Sequence, residues 1–120
     1  MLFRSLQEAL REFESEGGWQ ARHATYGRRA GVVRAALAAL GVEYFLDDGA
    51  TASSSILTAF KMPPGKSYER LHDDMKARGF VIYAGQGPYL GKMFRIAVMG
   101  DLREGDLAEL VAGLEANLGA

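Results

Sequence analysis

Seven residues between Trp19 and Leu40 recur at alternating spacings of four and three: Trp19, His23, Tyr26, Ala30, Val33, Leu37 and Leu40. That is the period of a helix, sustained for about six turns. Such a helix is about 33 Å long, more than a small sheet needs to cover it. The first half of the stripe is therefore expected to pack on something outside this chain. Gly41 stands where a left-handed C-cap would stop the helix. Arg22, Arg28, Arg29 and Arg34 fall off the stripe.

A first helix is expected from Leu2 to Glu16, with Leu2, Leu6, Ala9, Leu10 and Phe13 on one side and Gly17-Gly18 ending it. The chain opens almost inside this helix, which suits a piece of something longer. Val42 to Leu46 reads as a short strand closed by the turn Asp47-Asp48-Gly49, and Ile56 to Lys61 as a second strand. Ser67 is the expected N-cap of a helix carrying Tyr68, Leu71 and Met75, which Gly79 ends. Strands over Phe80–Tyr83 and Met93–Val98 and a helix from Glu104 to Leu118 complete the order α-α-β-β-α-β-β-α. Segregated short strands with helices on one face make an α+β two-layer sandwich, a small mostly antiparallel sheet preceded by a long helix pair.

At 120 residues the chain is expected to form one domain, residues 1–120, with one modest core. A net charge of -1 gives no support to nucleic-acid binding. The apolar runs are far too short to span a membrane, and no membrane partner is expected. Absence of cysteine removes disulfides, thiolate metal sites and thiol nucleophiles. A cytoplasmic location is the default.

One residue breaks the pattern. Arg95 sits in the strand Met93-Phe94-Arg95-Ile96-Ala97-Val98-Met99, where strand alternation puts Phe94, Ile96 and Val98 on the core face and Arg95 on the other. A guanidinium stays charged at any accessible pH and needs an anion or carbonyls wherever it leaves water. The choices are a structural carboxylate, plain solvation, or the anion of a ligand. The loop Ala84 to Gly91 contains Gly-x-Gly but joins two strands, so it lacks the helix N-terminus that a phosphate fingerprint needs. Tyr83 just before it and Gly85, Gln86 and Gly87 in it are expected at the edge of a site.

The remaining groups form no catalytic set. His23 lies on the apolar stripe and is expected to be packed and hydrogen-bonded; neither it nor His72 has a second ligand at metal spacing, so no metal site is expected. Asp73-Asp74 reads as a solvated helix face. Ser53-Ser54-Ser55 lacks the setting of a nucleophile.

Several segments together resemble a known family. They are Ala9-Leu10-Arg11-Glu12-Phe13-Glu14-Ser15-Glu16-Gly17-Gly18, Ala21-Arg22-His23, Ile56-Leu57-Thr58-Ala59-Phe60, Arg78-Gly79-Phe80-Val81-Ile82-Tyr83-Ala84-Gly85, Phe94-Arg95-Ile96 and Gly100-Asp101. The whole chain is similar to the C-terminal small domain of class V, fold-type-I aminotransferases, which depend on pyridoxal 5'-phosphate. Within them it resembles the 2-aminoethylphosphonate–pyruvate transaminases of phosphonate metabolism. It departs from that branch at Ala84, Gln86 and Ala97, where proline, lysine and glycine are usual, and in Gly87-Pro88-Tyr89-Leu90-Gly91-Lys92.

By that resemblance Arg95 binds the carboxylate of a small oxo or amino acid. The Schiff-base lysine belongs to a large cofactor-binding domain absent from this chain, and Lys61, Lys66, Lys76 and Lys92 do not take its place. The resemblance thus implies no catalytic residue here and no cofactor bound by this chain alone. The expected partner is the large domain, or a second copy meeting it through the exposed helix face as a dimer. The alternative is a non-enzymatic α+β module that binds a small anion or a protein partner.

Overall fold

The computed structural model describes residues 2–46 and 54–119. The expected turn Asp47-Asp48-Gly49 and Ser53 lie outside the described residues. Helices α1 (Leu2–Ser15) and α2 (Gly18–Ala39) lead, followed by strand β1 (Leu57–Lys61) and helix α3 (Tyr68–Ala77). Strand β2 (Tyr83–Ala84), a 3-10 turn at Gly87–Tyr89, strand β3 (Met93–Ala97) and helix α4 (Glu104–Leu118) complete the chain. The α+β reading holds, and α4 matches its expected bounds residue for residue.

β3 is the central strand of an antiparallel sheet ordered β1-β3-β2. β1 pairs it in the register Thr58↔Ile96, Ala59↔Arg95, Phe60↔Phe94, and β2 pairs it at Tyr83↔Arg95 and Ala84↔Phe94. The segment expected as the first strand meets the free edge of β1 through one bridge, Tyr44↔Phe60. Hydrogen bonds from Phe45 N to Ala59 O and from Lys61 N to Glu43 O flank that bridge.

The helices cover one face. Ala30, Val33 and Leu37 of α2, Leu71 and Met75 of α3, and Leu107, Leu110, Leu114 and Leu118 of α4 pack on Phe60, Phe94 and Ile96. The Phe60 and Phe94 rings stack at 5.5 Å. Replacing either ring by alanine would cost about 3–5 kcal/mol, the usual cost of a large core deletion.

Glycine turns end α2 and α3 as the sequence indicates. Gly79 has φ +95°, its N–H bonds to Lys76 O, and Phe80 N–H bonds to Met75 O, a complete Schellman closure. That closure takes the Phe80 amide away from the sheet, and the strand expected at Phe80–Tyr83 starts only at Tyr83. Gly41 closes α2 in the same way, through Gly41 N to Ala38 O and Val42 N to Leu37 O.

The long stripe divides. Ala30, Val33 and Leu37 are buried, while Trp19 is 66% exposed and His23 is also exposed. His23 is thus corrected from packed residue to surface residue, because no other described residue covers the helix at that turn. α1 carries the open surface further: Phe3, Leu6 and Leu10 all face outward. No helix among the described residues is long and apolar enough to cross a membrane.

Candidate functional site

Arg95 occupies the middle of the central strand, on the face away from the helices, and is half-buried. In register beside it stand Ala59 on one side and Tyr83 on the other. Leu57, Ala97 and Met93 share that face of the ladder, so the surround is mostly apolar, with Lys61 at its end paired to Glu43 at 3.0 Å. The Arg95 Nε–H donates to the carbonyl of Ala84 at 3.0 Å. Among the described residues no carboxylate reaches Arg95 at ion-pair distance. The guanidinium is therefore oriented by backbone at Nε, and its two Nη groups keep their donors for an outside acceptor. Two parallel N–H donors on a rigid plane match the two oxygens of a carboxylate.

The loop after β2 is folded rather than loose. Gly85 N–H reaches Met93 O at 3.3 Å, and Tyr89 N, Leu90 N and Lys92 N bond back to Gln86, Gly87 and Tyr89 carbonyls. The Tyr89 ring meets Phe45 edge-on at 5.2 Å. Gly85 is buried, and a Cβ there would lie 2.5 Å from Tyr89 O and 2.7 Å from Met93 Cγ. Tyr83 is exposed beside Arg95, and Gln86 and Gly87 are exposed farther along the loop.

Two arginines off the helical stripe have partners that spacing does not reveal. Arg29 is only 8% exposed, and its guanidinium donates to Val98 O at 3.0 Å, Gly100 O at 2.8 Å and Leu102 O at 2.9 Å. It pins the segment that follows β3. Arg34 donates to Thr58 Oγ1 at 3.1 and 3.2 Å and to Ser54 O at 2.8 Å, tying α2 to the start of β1. The only sequence signal for either is its place on the helix one step from a buried position.

The other groups singled out in the sequence stay apart. Ser54 Oγ accepts from the Ile56 and Leu57 amides, a turn role. His72 contacts Asp73 at 3.1 Å and the Tyr68 ring at 5.7 Å. Asp74 is not merely solvated: it accepts from Arg78 Nε at 2.7 Å and from Asn117 Nδ2 at 2.5 Å, joining α3 to α4. The Asn117 hydrogen bond first, and Arg78 after it, hold the Asp74 carboxyl below the ordinary aspartate range. Among the described residues no group of three or more His, Cys, Asp or Glu could hold a metal ion.

Among the cavities of the described residues, two flank the helices. One of about 650 Å³ lies between α1, α2 and the Gly100-Asp101 turn, lined by Glu12, Glu16, Arg22, Thr25, Tyr26 and Arg29 among others. One of about 220 Å³ lies over the Gly79–Ile82 segment and α4. Neither is lined by a lysine or by Arg95. The residues lining these two cavities include no amine that could form a Schiff base with pyridoxal phosphate.

No family model matches the chain. Among curated proteins, it is 36% identical over 111 residues to the 2-aminoethylphosphonate–pyruvate transaminase of Bacillus cytotoxicus, covering 90% of this chain and 29% of that protein. Among solved structures, the ureidoglycine–glyoxylate aminotransferase of Bacillus subtilis superposes with a TM-score of 0.81 at 30% identity, over 94% of this chain and 29% of that one. The pyridoxamine–pyruvate aminotransferase of Mesorhizobium loti gives 0.80 at 25% identity, over 93% and 29%. The chain thus spans under a third of the length of the relatives it matches. In sequence and in fold it is similar to a part of the class V pyridoxal-phosphate-dependent aminotransferases.

Proposed function

We propose that this chain is the small-domain part of a transaminase, and that Arg95 binds the carboxylate of a small oxo or amino acid such as pyruvate or alanine. The observation that supports the reading is the half-buried guanidinium of Arg95, fixed at Nε by Ala84 O and without a carboxylate partner among the described residues. The amino donor is 2-aminoethylphosphonate or a related primary amine, as the name of the Bacillus cytotoxicus relative indicates. Pyridoxal phosphate, which a large domain would hold, would supply a carbonyl group able to take up the amino group. This chain's own part is to bind and orient: Arg95 neutralises and aligns the carboxylate, Tyr83 walls one side, and the Gly85–Gly91 turn borders the site. The open apolar surface of Phe3, Leu6, Leu10 and Trp19 is the seat for the large domain.

Pyruvate binding measured on the chain, with Arg95→Ala beside it, tests the carboxylate role. The native chain is expected to bind pyruvate and the variant to lose binding, while the half-exposed position keeps the stability change within about 1 kcal/mol. A large loss of stability in Arg95→Ala would mark a structural arginine instead. The chain alone, given pyridoxal phosphate with alanine or 2-aminoethylphosphonate, is expected to yield no pyruvate or amine transfer. Turnover at enzyme rates would refute the division of labour.

A further inference from the structure

β2 has only two residues in the ladder, Tyr83 and Ala84. An edge strand that short is marginal by its own hydrogen bonds. Yet its Ala84 carbonyl is the acceptor that orients Arg95. What holds β2 therefore decides how firmly Arg95 is aimed. On the far side Gly85 N–H bonds to Met93 O at 3.3 Å. On the near side the backbone of 80–82 lies outside the sheet, because the α3 closure has taken the Phe80 amide. There a side chain from α3 takes over: the Tyr68 hydroxyl donates to Ile82 O at 3.2 Å.

We infer that Tyr68 is a positioning residue for the Arg95 site, its phenol anchoring the Ile82 carbonyl so that the Ala84 carbonyl two residues later stays in place to orient the guanidinium. The inference rests on the carboxylate reading of Arg95 proposed above. Tyr68 suits the role because its ring is half-buried against the core and rigid, while its hydroxyl alone spans the gap to the strand. Burial, with Glu69 adding to it, keeps the phenol above the ordinary tyrosine range, and the Arg95 charge pulls the other way. The hydroxyl thus keeps its proton at neutral pH, and the two side chains are within electrostatic reach of each other. No acidic group on α3 binds Arg95 directly among the described residues, so the link runs through the strand.

The test uses the full chain labelled with ¹⁵N-arginine and follows the Arg95 Nε–H signal during a pyruvate titration, in native protein and in Tyr68→Phe. The Phe variant keeps the ring and its packing and loses only the hydroxyl. Its Nε–H is expected to exchange with water about fivefold faster and pyruvate to bind about fivefold more weakly, the ordinary effect of one lost hydrogen bond. The backbone spectrum of α4 should be unchanged. Unchanged exchange and affinity in Tyr68→Phe would overturn the inference, and so would losses matched by equal changes throughout the core, which would make Tyr68 a general stability residue. If pyruvate leaves the native Arg95 signal unmoved, the carboxylate reading fails, whereas the exchange rate still reports whether Tyr68 governs Arg95.

Discussion

The guanidinium of Arg29 holds the Gly100 carbonyl at 2.8 Å across 71 positions of sequence, with the carbonyls of Val98 and Leu102 on the same side chain. The pairing matters because it fixes the exit of the strand that carries Arg95 to the buried half of α2. Its charge is met by backbone dipoles, with the Tyr26 ring 5.8 Å away. Arg29→Ala leaves these carbonyls short of a donor and is expected to cost about 2–4 kcal/mol. Arg29→Lys cannot serve three carbonyls with one planar fork and should recover less than half of that loss. Urea denaturation of the two variants measures both.

Gly85 owes its identity to space rather than to dihedral freedom. A Cβ there would meet Tyr89 O and Met93 Cγ well inside contact distance, and the backbone oxygen cannot swing aside as a side chain would. Gly85→Ala is expected to cost about 1–3 kcal/mol, typical of overpacking, and to open the 86–92 turn. Gly87 is the opposite case, with φ +57° and nothing near its Cβ position. Gly87→Ala should cost about 1 kcal/mol through backbone strain alone. Thermal unfolding of the pair, with Tyr89 ring shifts as the local readout, separates the two causes.

Asp74 makes stability depend on acid. Its carboxyl is held below the ordinary range in the folded chain by Asn117 and then Arg78, so the folded state binds that proton less readily than the unfolded state. The stabilisation is therefore complete above about pH 4, the ordinary aspartate value, and disappears as pH falls through the lower folded value. Asp74→Asn is expected to flatten this part of the stability profile as pH falls below about 4. Denaturation midpoints taken across that fall check it, and an unchanged slope would show that Asp74 contributes nothing to the acid limb.

Phe3, Leu6, Leu10 and Trp19 present apolar surface on α1 and the near end of α2. Several large apolar side chains exposed on adjoining helices mark an association surface. On its own the chain is expected to self-associate as its concentration rises, and the double change Leu6→Lys with Leu10→Lys to return it to a monomer. Light scattering over a concentration series decides this. A native chain monomeric throughout would refute it.

The outline of the fold was legible because its signals are local. Glycines at 41 and 79 closed helices where left-handed geometry was needed, and the alternation around Arg95 separated core from open face correctly. What the sequence hid is non-local. Arg29 and Arg34 look like any surface arginine until the turns that offer them carbonyls are brought across from β1 and β3. His23 looked packed since periodicity marks a stripe without telling how much of it this chain can cover. The Tyr68 hydroxyl lies in the same class, as its acceptor is a backbone oxygen with no identity in the sequence. The absence of a carboxylate partner for Arg95 among the described residues could only be seen in three dimensions.

The division of α2 has a mechanical side. From Gly18 to Arg29 the helix runs about 16 Å at its ordinary rise before it enters the core, a stiff arm rooted in the body that carries Arg95. A turn of the body by about 10° would sweep the tip through about 3 Å, and the reverse holds equally. Whatever grips Trp19 can therefore steer Arg95 without touching it.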